Sequence, residues 1–444
     1  MNLKTPLEMV RKLQHALRSK ANSSPSYRFY CLYDKIHRRD VLLIAYERCR
    51  ANGGAPGVDR QTFEDIETYG RNRWLEELAE SLRTRIYCPQ PVRRVYIPKT
   101  DGTQRPLGIP TIADRVVQMA AVLVLEPIFE ADLQPEQYAY REGRSALDAV
   151  QLVHSLLRSG HSEVVDADLS GYFDSIPHSD LMRSVARRIT DGNMLRLVKA
   201  WLEMPVEEST SRGKQRRTTK NRDRGRGTPQ GSPISPLLAN LYMRRFVLGW
   251  KVLGHERRLR ARIVNYADDF VICCRGTADE AMAAMRQIMA KLKLTVNETK
   301  TQVCRLPEET FDFLGYTFGR LYSTRTGRPY LGTRPSRKSI QKICRMISEL
   351  TGRDRTWLDV ESLVKVLNRR LRGWANYFCL RLGPLTKAYD AVDAHTRRRL
   401  RQWLGRKHKL RTCGSYRYPY EHLYGKLGLL RLRAERHNLW KANE

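Results

Sequence analysis

Apolar residues recur along this chain with two periods, one helical and one extended, and the change between them divides it. Thr5-Pro6-Leu7-Glu8 has the form of a capping box with proline at the first helical position. Val10, Leu13 and Leu17 then fall on one face, so a helix opens the chain. Ala21-Asn22-Ser23-Ser24-Pro25-Ser26 reads as a linker. Asp40 is a candidate cap for a second helix through Ala51, which Gly53-Gly54 stops. From about Pro91 short alternating runs take over. Val92–Pro98 and Gln104–Ile109 predict two strands of a hairpin around the turn chemistry of Thr100-Asp101-Gly102-Thr103. Ala113–Phe129 predicts a helix, Glu163–Leu169 a strand ending in carboxylates, and Ile263–Tyr266 and Phe270–Cys273 two strands flanking a tight turn. After Pro335 the period is helical again. Ile340, Ile343, Ile347 and Leu350 form one stripe; Leu363, Leu367, Leu371, Trp374 and Phe378 form another. Arg369, Arg370 and Arg372 lie off the second stripe, which predicts a helix with a basic face turned to a phosphate backbone. The pattern is α+β with a small antiparallel sheet.

Charge narrows the partners. The chain has 444 residues, 80 Lys and Arg against 47 Asp and Glu, and a formal charge of +33. The apolar fraction of 41% is ample for real cores. So large an excess of positive charge opposes compaction unless a polyanion neutralises it, which points first to nucleic acid and second to an anionic membrane surface. From residue 331 onward there are 27 Lys and Arg and 9 Asp and Glu, more than half the net excess, so this quarter is a candidate binding domain. The longest apolar run, Met119–Leu125, is too short to span a bilayer, and the first twenty residues lack a signal-peptide core. Nine scattered cysteines contain no C-x-x-C pair, which disfavours zinc ribbons and fingers, and adjacent Cys273 and Cys274 fit a reducing interior. A cytoplasmic, nucleic-acid-handling protein is expected, with no membrane partner. Ser211–Gly227, with eight Lys or Arg and one Asp, is either a solvated loop or a hairpin at an RNA surface.

The candidate chemistry lies in carboxylates. Tyr266-Ala267-Asp268-Asp269 sets two acids side by side between strands. Adjacent carboxylates raise each other's pKa unless they face solvent or a cation, so the pair is either a turn or a cation ligand. Asp168, at the end of its own strand, makes a third acid. A strand end beside a hairpin turn can gather three acids on two metal ions about 3.5–4 Å apart, the geometry of in-line phosphoryl transfer. Asp166 shares a strand face with Asp168 and reads as a supporting or solvated acid. Gly227–Asn240, with Thr228-Pro229-Gln230-Gly231-Ser232-Pro233 at its start, is a fixed-shape loop running into an apolar helix.

These segments, in this order, resemble the palm motifs of the group II intron-encoded reverse transcriptase/maturase family, in a form lacking the endonuclease. Asn52–Asp59, Ile97–Thr111, Tyr138–Ser145, Leu292–Thr301, Phe313–Tyr316 and Leu371–Phe378 extend the resemblance over about residues 40–405. It implies a right-hand polymerase: an N-terminal helical extension (1–40), fingers (41–160), palm (161–330), a helical thumb or maturase domain (331–405) and a short basic-aromatic segment (406–444). It implies that Asp168, Asp268 and Asp269 are the catalytic acids, holding two Mg²⁺ ions, or Mn²⁺ as substitute, with the Leu169 carbonyl as a further ligand. Lys99 and Arg105 match triphosphate contacts, Phe173 the gate against a ribose 2′-hydroxyl, Gln230 a neighbour of the nascent base pair, and Lys300 a lysine near the leaving pyrophosphate. The alternative for Phe173 is a core aromatic; taken without the family, Lys99, Arg105 and Lys300 read as ordinary solvated bases. The implied partners are a structured intron RNA, an RNA template with a DNA primer, and dNTPs, in a bacterial, nucleoid-associated setting. Arg369, Arg370 and Arg372 are the expected RNA contacts. Two alternatives stand beside this reading: a splicing-only RNA-binding maturase, and a domesticated reverse transcriptase in phage defence, CRISPR adaptation or repair. The segment after Gly405, with Tyr416, Tyr418, Tyr420 and Tyr424, is a reduced DNA-binding segment or a packed extension.

Overall fold

A computed structural model describes residues 5–98, 102, 104–209, 215–322, 326–380, 385–410 and 416–433. Strands β1 (Val92–Pro98) and β2 (Gln104–Ile109) form the expected hairpin, with Arg105 opposite Ile97. Strand β3 (Glu163–Asp168) follows two helices, Ile112–Glu130 and Ala146–Arg158. Next come β4 (Val206–Ser209) and β5 (Gln215–Thr218), then the hairpin of β6 (Ala261–Tyr266) and β7 (Asp269–Cys274). Beyond helix Ala278–Lys291 lie β8 (Gln302–Arg305), β9 (Phe311–Phe313), β10 (Tyr316–Tyr322) and β11 (Pro329–Pro335).

These strands form three sheets among the described residues. The central one has the order β6-β7-β3-β8 and is antiparallel throughout. A second, β2-β1-β4-β5, is mixed, because β4 joins β1 in parallel. Within the basic stretch, Gln215–Thr218 pairs with β4 and extends the β1–β2 sheet. The third sheet, β11-β10-β9, leads into the C-terminal helices.

The central sheet is covered on both faces, which is why β3 carries Val164 and Val165 in succession. Val165, Ala167, Phe270, Ile272 and Cys274 belong to the main core, built on helices Pro6–Ser23, Arg39–Asn52, Ile112–Glu130, Ser235–Val252 and Ala278–Lys291. Val164, Val264, Val271 and Cys273 belong to a second cluster with Val153, Phe311, Phe313, Tyr316, Phe318 and Phe378. Helix Ile112–Glu130 is apolar nearly all round and correspondingly buried.

Arg337–Leu350, Val360–Tyr377 and Thr386–Lys407 make a helical domain with its own core, including both predicted stripes except Phe378, which belongs to the second cluster. Leu423, Leu429, Leu430 and Leu432 pack into that core, and Asn368 binds the carbonyl of Gly428 and the amide of Leu430. Residues 416–433 are therefore a packed extension. Tyr316 holds this domain to the third sheet: its hydroxyl donates to the Tyr377 carbonyl, and its ring lies 4.8 Å from that of Phe378.

Local expectations are corrected at several points. Ala21–Ser26 is not a free linker, because the first helix runs to Ser23 and Ala21 is buried. The buried guanidinium of Arg188 explains this: it donates to the carbonyls of Ala21, Ser24, Pro25 and Tyr27, gathering the helix end onto the segment that follows helix His178–Ala186. Asp40 does not cap its helix. The cap is Arg38, and Asp40 in the first turn pairs with the Arg38 guanidinium. The boundaries expected at 40/41, 330/331 and 405/406 fall inside helix Arg39–Asn52, strand β11 and helix Thr386–Lys407. Lys99 and most of the turn beside it lie outside the described residues.

Replacing Arg188 by methionine removes a donor from four carbonyls, one of them, that of Ala21, buried and the others partly buried. Arg188→Met is expected to cost about 3 kcal/mol in denaturant unfolding; a loss under roughly 0.5 kcal/mol would mean that water replaces the guanidinium there.

Candidate functional site

Strand register gathers the acids. In the β3–β7 ladder Asp168 lies opposite Asp269, and Asp166 opposite Val271. Directly opposed residues point to the same face of a sheet. Asp166, Asp168 and Asp269 therefore share the face of Val164, Val271 and Cys273, at the end where its apolar cover stops. Asp268 sits in the turn between β6 and β7, beside Ala267 in the left-handed region at φ 59°. That turn is fixed from below, because the buried amide of Asn265 donates to the Ala267 carbonyl.

The four acids do not share one environment. Burial pushes Asp269 up to about 7, helped by the charges of Asp166, Asp268 and Asp168. Burial likewise raises Asp166 to about 6 against a hydrogen bond from Gln302, with Asp312 and Asp168 adding to the rise. Asp268 is raised by burial and then by Asp168, while Arg105 and Lys300 oppose the shift. Asp168 is the compensated acid. One of its carboxylate oxygens accepts from Lys300 Nζ at 3.0 Å and from Asn297 Nδ2 at 3.1 Å. Its backbone is held too, with Asn297 N–H donating to the Asp168 carbonyl at 2.9 Å. The bridge between Leu169 and Val296 uses that carbonyl and the Ser170 amide, so it does not engage the carbonyl of Leu169.

Carboxylate and carbonyl oxygens alone suit a hard divalent cation, not one that seeks thiolate or imidazole. Among the described residues, however, no group of three or more His, Cys, Asp or Glu stands close enough to hold a metal by itself. The donor chemistry fits; a closed cage is not preformed, and Lys300 supplies the positive charge beside Asp168.

The β1–β2 hairpin reaches this cluster. Arg105 Nε donates to Gln230 Oε1 at 3.2 Å, and Gly108 N–H donates to the Gln230 carbonyl at 2.6 Å. Gly231 must be glycine here: φ is +109°, and a Cβ would lie 2.4 Å from the Gly108 oxygen. Phe173 is 7% exposed and belongs to the main core, while its carbonyl accepts from Thr228 N–H at 2.7 Å. Its ring is thus a core aromatic, and its backbone ties the Gly227–Gln230 loop to the core.

Sequence reasoning missed three residues here. Asn297 holds Asp168 from the same turn as Lys300, whose N–H bonds the Asn297 carbonyl; its signal was its place three residues before that lysine. Asp174, next to Phe173, accepts from Gln230 Nε2 at 3.2 Å. Tyr140, exposed and at φ 55°, lies within electrostatic reach of Asp268 and Arg105; only its membership of the Tyr138–Ser145 block pointed there.

On the helical domain, Arg369 and Arg370 line a groove of about 410 Å³ with Lys342, Met346, Trp374 and Tyr377. Arg372 is exposed but is not among the lining residues. At about 100° per residue it lies on the far side of Arg369 from Arg370, so the three arginines do not form one contact face. None of the described helices is long and apolar enough to cross a membrane.

Residues 97–318 match the family described as reverse transcriptase (RNA-dependent DNA polymerase), and residues 340–418 match the group II intron, maturase-specific domain. Protein YkfC of Escherichia coli (strain K12) is 31% identical over 74% of this chain and 94% of its own length. The group II intron-encoded protein LtrA of Lactococcus lactis subsp. cremoris is 27% identical over 65% of this chain and 56% of its own. An uncharacterized 91 kDa protein in the cob intron of Schizosaccharomyces pombe is 25% identical over 78% of this chain and 50% of its own. The chain thus spans nearly all of one of these relatives and about half the length of the other two.

The buried acids generate a signed pH dependence. Asp269 is raised in the fold, so its ionised form costs stability above about pH 7, and the cost fades as pH falls toward the unfolded value. Without divalent cations, Asp269→Asn is expected to melt several degrees above wild type at pH 8, with the gap closing toward pH 5. A gap that stays constant over that range would place the carboxylate in ordinary solvent.

Proposed function

We propose, for a chain that belongs to the reverse transcriptase (RNA-dependent DNA polymerase) family and carries a group II intron maturase-specific domain, that RNA is copied into DNA at Asp168, Asp268 and Asp269. The same chain binds a structured intron RNA and assists its splicing and mobility. The observation that carries the catalytic part is the β3–β7 register, with Asp168 opposite Asp269 and Asp268 in the adjoining turn.

In the reaction the primer 3′-oxygen attacks the α-phosphorus of a dNTP. A new P–O bond forms, the bond to the β-phosphate oxygen breaks, pyrophosphate leaves, and the hydroxyl proton passes to solvent or a nearby base. Reverse transcriptases as a family use divalent metal ions. Two Mg²⁺ ions, or Mn²⁺, bound by the three carboxylates and the Leu169 carbonyl would supply charge neutralisation and an activated hydroxyl. The protein's own groups bind and orient. Arg105 leaves its terminal guanidinium nitrogens to grip phosphate oxygens while its Nε is held by Gln230. Lys99 is proposed to assist from the hairpin. Phe173 underlies the sugar position and disfavours a 2′-hydroxyl by its bulk. Lys300 already stands at the acids and meets the developing charge of pyrophosphate.

Intron RNA is read largely through phosphates and shape, on the basic surfaces of the fingers and of the helical domain. A splicing-only binder is the second reading, favoured by the Lys300–Asp168 pair, which already compensates an acid that catalysis would need for a cation.

Primer extension on poly(rA)/oligo(dT) with Mg²⁺ separates the two. Wild type is expected to incorporate dTMP, and Asp268→Ala to lose on the order of a thousandfold in rate, the equivalent of several kcal/mol, with RNA affinity retained. No incorporation by folded wild type would favour the binder. In a separate measurement, Arg369→Glu with Arg370→Glu is expected to weaken RNA binding and to flatten its salt dependence by about one unit of log–log slope per lost phosphate contact. An unchanged slope would remove that groove from the RNA path.

A further inference from the structure

Three elements from distant parts of the chain meet through one side-chain relay. Asp174, on the short helix Tyr172–Ser175, accepts a hydrogen bond from Gln230 Nε2 at 3.2 Å. Gln230 Oε1 in turn accepts from Arg105 Nε at 3.2 Å. The backbone holds the relay at both ends. Gly108 N–H donates to the Gln230 carbonyl, and Gly227 packs so closely on Asp174 that a Cβ there would lie 3.2 Å from the Asp174 carbonyl.

The chemistry of the relay is directional. A glutamine amide has one accepting and one donating end, and nothing in its shape distinguishes them. With a guanidinium on one side and a carboxylate on the other, only one orientation satisfies both: oxygen toward Arg105, nitrogen toward Asp174. The opposite orientation sets NH₂ against a cation and oxygen against an anion. Asp174 carries no proton when ionised and accepts only, so it fixes the amide, and the amide fixes the arginine. Among the described residues Arg105 is bound through Nε, which leaves Nη1 and Nη2 as a fork. A fork held in place loses less rotamer freedom when it grips a phosphate, and this improves binding without a new contact. Burial raises Asp174, but Arg94, Gln230, Lys220 and Arg105 all pull it back toward the ionised form.

We propose that Asp174 is a positioning residue for the incoming nucleotide: through Gln230 it presets the Arg105 fork for the triphosphate, so its contribution lies in dNTP affinity and not in the chemical step. The inference rests on the reading that Arg105 faces the triphosphate, and it adds a residue that itself touches neither substrate nor cation.

The test is steady-state primer extension by the full chain with saturating template–primer, in a set of Asp174→Ala, Asp174→Asn, Gln230→Ala, Arg105→Ala and the Asp174→Ala/Gln230→Ala double variant. A melting curve for each confirms folding. Asp174→Ala is expected to raise the dNTP KM about tenfold, the size of one lost charge-assisted hydrogen bond, with kcat within about twofold and template–primer affinity unchanged. Asp174→Asn, which keeps an accepting oxygen, is expected to recover most of that loss. The double variant is expected to be no worse than Gln230→Ala alone, because both act through one link. Three results would overturn the relay: a fall in kcat with KM unmoved, losses that multiply in the double variant, or an unchanged KM in Asp174→Ala while Arg105→Ala raises it. If Arg105→Ala itself leaves KM unmoved, the assignment of Arg105 to the triphosphate falls, and the relay falls with it.

Discussion

Between β3 and β7, an antiparallel ladder ends on two opposed carboxylates, Asp168 and Asp269, and adds a third in the turn that follows. Like charges brought this close in a partly buried setting resist ionising together. The surrounding structure answers each acid differently. Asp168 is met by Lys300 and Asn297, whereas Asp269 and Asp166 are left to rise toward neutrality. A site poised in this way has a standing demand for positive charge, and an ordinary helix or sheet end does not supply it. The apolar cover of that sheet face stops where the carboxylates begin, so the demand is presented to a substrate.

What surrounds the acids follows from close backbone approach. The β1–β2 hairpin and the Gly227–Asn240 segment meet where Gly231 lets the loop touch the Gly108 carbonyl, and where Gly108 N–H bonds Gln230. The polar side chains there are in contact because the backbones are. The helical domain is tied to the rest by aromatic packing of Tyr316, Tyr377 and Phe378 on the sheet that follows the palm. Tyr377, which lines the basic groove, also lies within electrostatic reach of Asp269.

Much of this was legible in the residues. Both strands of the first hairpin, the strand before Asp168 and the two helical stripes of the C-terminal domain follow from alternation and 3.6-residue spacing, because each buries one well-defined face. The Tyr266–Asp269 turn was legible because two acids between apolar strands have few physical explanations. What could not be read depends on partners distant in sequence. The helix through Ala21–Ser23 survives a Ser- and Pro-rich exit because Arg188 gathers its carbonyls. The parallel seating of β4 beside β1 and the hold of Asn297 on Asp168 are likewise set by tertiary geometry. Phe173 was posed as either gate or core, and the fold gives it a core position, with its backbone tied to the site loop.

The most direct measurement is a structure with Mn²⁺, an RNA template annealed to a DNA primer, and a non-hydrolysable dNTP, read for anomalous signal. Manganese is expected between Asp168 and the Asp268–Asp269 turn, with Lys300 moved off the Asp168 carboxylate and toward the phosphates. Manganese bound elsewhere, with Lys300 still paired to Asp168 and nucleotide present, would contradict that placement.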